Sequence, residues 1–292
     1  MIEVPAELTA SLRGSDGAAG AAFAASLPAR AATFLRRWRL RRDGPAMHGM
    51  CALVLPVVTA DGTPAALKLQ PLNGESAGEP LALRAWAGDG AVRLLEHDGP
   101  TCTLLLERLD ATRSLAGVPD TLGAVRVIGE LLARLTAVPA PPGLRTLGTL
   151  ARAWPGRLAE ALPRVSDPAD RRLLRDCAAA VREVAAEPGD RLLHWDLHHA
   201  NVLGAGRAAW LAIDPKPLAG DPGFELLPAL VNRYDPAETR RRFDILTAAL
   251  GLDRERARAW TLGRVLQSCL WDVEQGRAPA ADRREVGLAL RG

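Results

Sequence analysis

Leu192-Leu193-His194-Trp195-Asp196-Leu197-His198-His199-Ala200-Asn201-Val202-Leu203 is the stretch from which the rest of the chain is read. Two apolar runs enclose a polar loop that carries an aspartate, an asparagine and three of the five histidines. Short apolar runs bounded in this way read as buried strands. A second such run, Ala212-Ile213-Asp214-Pro215-Lys216, ends in another carboxylate after a turn at Gly204-Ala205-Gly206. One carboxylate can orient a hydroxyl and take its proton. An amide oxygen and a second carboxylate are hard ligands suited to Mg²⁺. Asp196 is thus the candidate base, Asn201 and Asp214 the candidate metal ligands, and the set is what phosphoryl transfer requires. His194 is expected to fix the loop through the backbone, whereas Lys216 could reach a phosphate or the acceptor or could equally cap the turn.

The chain has 292 residues, enough for two lobes with separate cores. It is 48% hydrophobic and 24% charged, with a net charge of +3, so composition offers no case for nucleic acid. The basic run Arg36-Arg37-Trp38-Arg39-Leu40-Arg41-Arg42 reads as a helix end or surface strand. Four scattered cysteines form no C-x-x-C pair and read as buried thiols in a reducing compartment. Met1-Ile2-Glu3-Val4-Pro5-Ala6-Glu7 lacks the basic head and apolar core of a secretory signal. Nowhere are eighteen apolar residues uninterrupted, so no membrane span and a cytoplasmic location are expected. Of 37 basic residues only Lys68 and Lys216 are lysines, which draws notice to both.

Ahead of the loop, residues 17–37 are Ala-rich and predict a helix interrupted near Pro28. Apolar runs at 50–58 and 65–69 flank Asp61-Gly62 and predict a β-hairpin. Lys68, near the end of its second strand, is a candidate for the α- and β-phosphates of a nucleotide. A helix opening at Glu79-Pro80 offers Glu79 as the carboxylate that positions Lys68, with Glu75 as rival. Two more strands, near 91–96 and 101–106, lead into Glu107-Arg108-Leu109-Asp110. There Glu107 and Leu109 could offer backbone groups to an adenine edge. No G-x-G-x-x-G and no G-x-x-x-x-G-K-[S/T] occurs.

Beyond Pro119 the apolar spacing turns helical, with Leu122, Val125, Ile128, Leu132 and Leu135 on one face. Further helices are predicted at 148–161, 168–186, about 222–231, 236–250 and 253–275. A zinc site at His194, His198 and His199 competes weakly, because Trp195 stands where H-E-x-x-H needs glutamate. No G-x-S-x-G occurs to suggest a serine nucleophile.

These segments together resemble the aminoglycoside phosphotransferase family, in its streptomycin 6-kinase and hydroxyurea kinase branch. Leu193 to Leu203 is similar to the branch's catalytic loop, and Ala212 to Pro222 to its metal-site segment. The likeness spans most of residues 45–275. It implies an α+β, two-lobed protein-kinase-like fold with a small antiparallel-sheet N-lobe and a larger, mainly helical C-lobe. It also implies ATP and Mg²⁺ as cosubstrates and a phosphate ester formed on a hydroxyl. The chain departs from the family at Trp195, where glycine is usual, and at Ala200.

The sequence is accordingly divided into a nucleotide-binding lobe at 1–109 and a catalytic and substrate-binding lobe at 110–292. The expected acceptor is a small cationic hydroxyl compound, with a streptomycin-type antibiotic leading. Its charge would call for carboxylates, of which Asp221 and Glu225 are candidates together with Asp235, Asp272 and Glu274. Hydroxyurea or another small hydroxyl metabolite is the alternative acceptor. A silent nucleotide-binding regulator is the alternative from a different class.

Overall fold

The computed structural model describes residues 2–291. It divides into two compact units. One comprises the chain through Gly88 together with Val92–Leu109, and the other Asp89–Ala91 together with the chain from Asp110 onward.

The first unit opens with helix α1 (Ala6–Arg37), longer than the spacing predicts. Its break falls at Gly17 (φ 56°, ψ −126°), a conformation open essentially to glycine alone, and not at Pro28, which lies within the helix. A sheet follows, built from β1 (Arg41–Arg42), β2 (Met47–His48), β3 (Leu53–Val58) and β4 (Pro64–Leu69). The predicted hairpin is β3–β4, in which Val54 faces Lys68. Helix α2 (Glu79–Trp86) precedes β5 (Leu94–Asp98) and β6 (Thr103–Glu107), which begin later than their apolar runs suggest. The strand order is β1-β3-β4-β6-β5, antiparallel throughout, with β2 paired to β3. Leu8, Leu12, Leu27 and Phe34 of α1 bury against Leu53, Leu55, Leu67 and Leu69 of the sheet. That burial of apolar area, at roughly 25 cal/mol per Å², is what holds the helix to the sheet.

The second unit is mainly helical. In chain order it has β7 (Asp110–Ser114), α3 (Thr121–Thr136), β8 (Arg145–Thr146), α4 (Leu147–Ala161), α5 (Pro168–Arg182), β9 (Arg191–Leu193), β10 (Val202–Gly204), β11 (Trp210–Ala212), β12 (Leu218–Gly220), α6 (Leu227–Val231), α7 (Thr239–Leu250), α8 (Arg254–Glu274) and α9 (Ala281–Arg291). Helix α3 packs on α7, and α5 on α8. Asp120, Thr146, Asp167 and Asp253 cap α3, α4, α5 and α8 through side-chain oxygens that accept backbone N–H groups. The helix predicted at 222–231 is a 3₁₀ turn, Pro222–Glu225, and then the short α6. Helix α9 has no counterpart among the predicted elements.

Two small sheets carry the central stretch. In β11-β10-β7, Val202 pairs with Ala212 and Leu203 with Leu211. In β8-β12-β9, Leu193 pairs with Leu218. Among the described residues no helix is long and apolar enough to cross a membrane. All four cysteines are free thiols, and Cys102, Cys177 and Cys269 are buried.

Candidate active site

In the first unit Lys68 is 4% and Glu79 1% exposed. Lys68 Nζ donates to both carboxylate oxygens of Glu79 at 2.8 Å. The strand alternation turns Lys68 inward, and Glu79, first residue of α2, meets it there. Gln70 Nε2 donates to Glu79 Oε2 at 2.6 Å, a third member absent from the sequence reading. Gln70 lies two residues beyond Lys68, on the same strand face, and that period-2 relation is the only signal that could have found it. The rival, Glu75, instead accepts nothing from Lys68, its backbone N–H being bound to Asn73 Oδ1 in a turn. Burial raises the neighbouring Cys102 thiol above its usual range.

Glu107 ends β6, and its Oε2 accepts the Arg93 backbone N–H at 3.1 Å. Leu109 is the last residue of the first unit.

In the second unit the loop between β9 and β10 is fixed from its centre. His194 is wholly buried; its Nε2 donates to the Ile213 carbonyl at 3.0 Å, and its Nδ1 accepts the Asp196 N–H at 3.3 Å. That pattern requires the neutral ring, and burial lowers its pKa to about 4. The Lys216 N–H donates to the His194 carbonyl, which ties the two polar segments together. His198 caps the following turn, its Nδ1 accepting the Ala200 N–H at 3.2 Å.

Asp196, Asn201, Asp214 and Lys216 are brought together. Lys216 Nζ is hydrogen-bonded to Asp196 Oδ2 and lies 3.7 Å from Asp214 Oδ2. The side chains of Asp196, Asp214 and Lys216 are 29%, 42% and 33% exposed, so solvent or a ligand can reach them. Asn201 Nδ2 donates to the Asp196 carbonyl at 2.9 Å, which spends the amide's donor side and leaves its oxygen as an acceptor. Trp195 (φ 67°) and Asp214 (φ 58°) both sit in the left-handed region. Aspartate visits it readily, whereas for tryptophan it is strained by about 1–3 kcal/mol.

Two partners hold the strained peptide. Glu225 Oε1 accepts the Trp195 N–H at 2.7 Å, and Arg264 Nη2 approaches the Trp195 carbonyl at 3.4 Å. Glu225 is completely buried, and desolvation raises its pKa to about 7. Beside Asp196 opens a pocket of about 240 Å³, lined by His198, Asn232, Arg264, Ser268 and Arg283 among others.

The carboxylates expected to receive a cationic acceptor are otherwise engaged. Asp221 accepts from Gly223 N at 2.8 Å and pairs with Arg256 at 2.7 Å. Glu225 supports Trp195. Asp272 pairs with Arg277 and Arg283, Glu274 with Arg157, and Asp235 accepts the Ala237 N–H. Among the described residues no three His, Cys, Asp or Glu side chains gather as a metal site, and both ring nitrogens of His194 are bonded to backbone groups.

Comparison with known proteins adds the following. The model of the aminoglycoside/hydroxyurea antibiotic resistance kinase family matches residues 37–276. A hydroxyurea phosphotransferase of Kitasatospora aureofaciens is 64% identical, over 99% of this chain and 85% of that protein. A streptomycin 6-kinase of Streptomyces glaucescens is 53% identical, over 100% of this chain and 98% of that protein. Among solved structures, a choline/ethanolamine kinase family protein from Mesorhizobium loti superposes with a TM-score of 0.64 at 20% identity, covering 91% of this chain and 94% of that one. Aminoglycoside phosphotransferase APH(4)-Ia gives 0.63 at 15% identity, covering 91% and 98%. The last two show that the fold is the kinase-like α+β fold.

Proposed function

This chain belongs to the aminoglycoside/hydroxyurea antibiotic resistance kinase family, and from that premise we propose that it phosphorylates the hydroxyl of a small acceptor, hydroxyurea foremost, from ATP. The observation that carries this reading is the junction of Asp196, Lys216 and Asp214 beside the 240 Å³ pocket.

Asp196 orients the acceptor hydroxyl and takes its proton as the oxygen attacks the γ-phosphorus; the bond from that phosphorus to the β–γ bridging oxygen breaks and ADP leaves. Lys216 keeps Asp196 in place and adds positive charge where the transferred group carries negative charge. Lys68, locked by Glu79 and Gln70, meets the α- and β-phosphates, and the backbone at Glu107 and Leu109 offers hydrogen bonds to the adenine. Asn201 and Asp214 fit a magnesium ion by the chemistry of their oxygens and by the orientation of the Asn201 amide. When bound, magnesium supplies positive charge to the phosphate oxygens.

Two observations favour a small acceptor. The 64% identical relative is a hydroxyurea phosphotransferase. The pocket, at about 240 Å³, falls below the roughly 300–1,000 Å³ usual for drug-sized ligands. Streptomycin, the acceptor favoured by the sequence reading, remains the second reading because a streptomycin 6-kinase is 53% identical over nearly its whole length.

The test is incubation with labelled ATP, Mg²⁺ and either hydroxyurea or streptomycin, with Asp196→Asn as control. Label on hydroxyurea that is lost in the variant and on chelation supports the reading. Label on streptomycin alone overturns the choice of acceptor, and label on neither, with ATP still bound, leaves a nucleotide-binding regulator.

A further inference from the structure

Trp195 immediately precedes Asp196 and is only 4% exposed. Its ring is flanked by two guanidinium groups, with Arg145 Cζ 4.5 Å and Arg264 Cζ 5.0 Å from its centroid. Phe224 meets it edge-on, with centroids 6.2 Å apart. Arg264 is also 5.5 Å from the Phe224 ring and is itself only 8% exposed. Yet Arg264 lines the pocket with Asp196, as does Ser268 one turn farther along α8.

We propose that Arg264 is an acceptor-binding residue, held over the Trp195 ring so that its Nη2 donates to an oxygen on the molecule being phosphorylated. This rests on the assignment of Asp196 as the base. The physical argument begins with the cost of burying a guanidinium. Aromatic faces offset part of that cost through attraction to the ring quadrupole. They also restrict where the guanidinium sits: its Nε and Nη1 are sealed from solvent, so the donor offered to the pocket is Nη2. One Nη reaches the Trp195 carbonyl, so the same group that borders the pocket is tied to the peptide next to the base. An acceptor oxygen bound by Arg264 is therefore registered against Asp196.

The ligand chemistry follows. A carbonyl or other uncharged or anionic oxygen suits this donor, whereas an ammonium or guanidinium at the same point meets repulsion from Arg264. Hydroxyurea, whose carbonyl carbon is bonded to the nitrogen that carries the hydroxyl, presents such a group. The tryptophan is then explained as well: glycine would relieve the left-handed strain but would leave Arg264 without its platform.

The experiment is steady-state kinetics with hydroxyurea for wild type, Arg264→Gln and Trp195→Phe. For Arg264→Gln the acceptor KM should rise about ten- to a hundredfold, the scale of a lost charge-assisted hydrogen bond. The KM for ATP and the kcat should stay within about threefold, and free guanidinium should lower the raised acceptor KM again. Trp195→Phe, which keeps a smaller platform, should raise the acceptor KM less. If Arg264→Gln does not fold, Trp195→Phe carries the test by the same split. A fall in kcat or melting temperature with the acceptor KM unchanged would show that Arg264 only braces the loop, and would overturn the inference while leaving the reaction assignment intact. A wild-type enzyme that phosphorylates no hydroxyurea would overturn the acceptor choice, and this inference with it.

Discussion

Glu225 accepts the backbone N–H of Trp195 at 2.7 Å from a position with no solvent exposure at all. The carboxylate thus supports a peptide in the left-handed region one residue before the candidate base. Among the described residues its second oxygen meets no hydrogen-bond donor. An ionised carboxylate is poorly accommodated there, and desolvation accordingly raises its pKa to about 7.

Stability should carry the mark of that group. Between about pH 4.5 and 7 the unfolded chain has lost the Glu225 proton while the folded protein keeps it, so this site's contribution falls as pH rises and is level above 7. His194 and His199, both lowered to about 4 chiefly by burial, act in the opposite sense, losing stability as pH falls from 6.5 toward 4. Glu225→Gln can still accept the Trp195 N–H but does not titrate. Urea midpoints at pH 5 and pH 8 should therefore shift in favour of the variant at the higher pH, by roughly 2–3 kcal/mol relative to pH 5. A difference independent of pH would show that Glu225 titrates normally.

Lys68 and Glu79 form a buried pair, and removing one partner strands the other. Lys68→Met should cost about 3–5 kcal/mol, because the buried Glu79 carboxylate loses the ammonium that both its oxygens accept from. The double variant Lys68→Met with Glu79→Gln should recover most of the loss in a thermal melt, although it should transfer no phosphate. Equal destabilisation in single and double variants would contradict the argument.

Lys216 is a third exposed, so its loss should leave the melting temperature almost unchanged. Lys216→Met leaves Asp196 and Asp214 without their shared cation, and kcat for phosphate transfer should fall about ten- to a hundredfold. An unaltered kcat would reduce this lysine to a surface charge.

Gly189 adopts φ 77°, and a Cβ there would lie 2.8 Å from the backbone of Gly220 and Asp221. Gly189→Ala combines left-handed strain with a collision that no side-chain rotation relieves. It should destabilise the protein by about 2–3 kcal/mol, read from the denaturation midpoint. An unchanged midpoint would mean that the β12 backbone can shift aside.

Much of the site was legible because its residues are close in sequence. Asp196 and Asn201 share one loop, and the Val202–Ala212 register brings Asp214 beside them. Lys68 and Glu79 could be read from a strand followed by a helix start. Helix α9 and the start of α1 do not stand out in the sequence because their few large apolar residues are scattered among small, polar and charged ones, so no face is evident. Pro28, the breaker that the sequence suggests, is carried within α1, and Gly17 supplies the break.

The sequence by itself determined the order of the larger elements before α9, the family, and the chemical kinds of group available for phosphate transfer, because local spacing and residue type set these. Tertiary structure alone decided which groups meet. Glu225 stands 30 positions after Trp195 and Arg264 a further 39, yet all three converge where the 3₁₀ turn and α8 pack beneath the loop. The same packing turned Asp221 toward Arg256 and sealed Glu225 from solvent. A carboxylate's role depends on its distance from charges and on how far water is excluded, and both are set by parts of the chain remote from it in sequence.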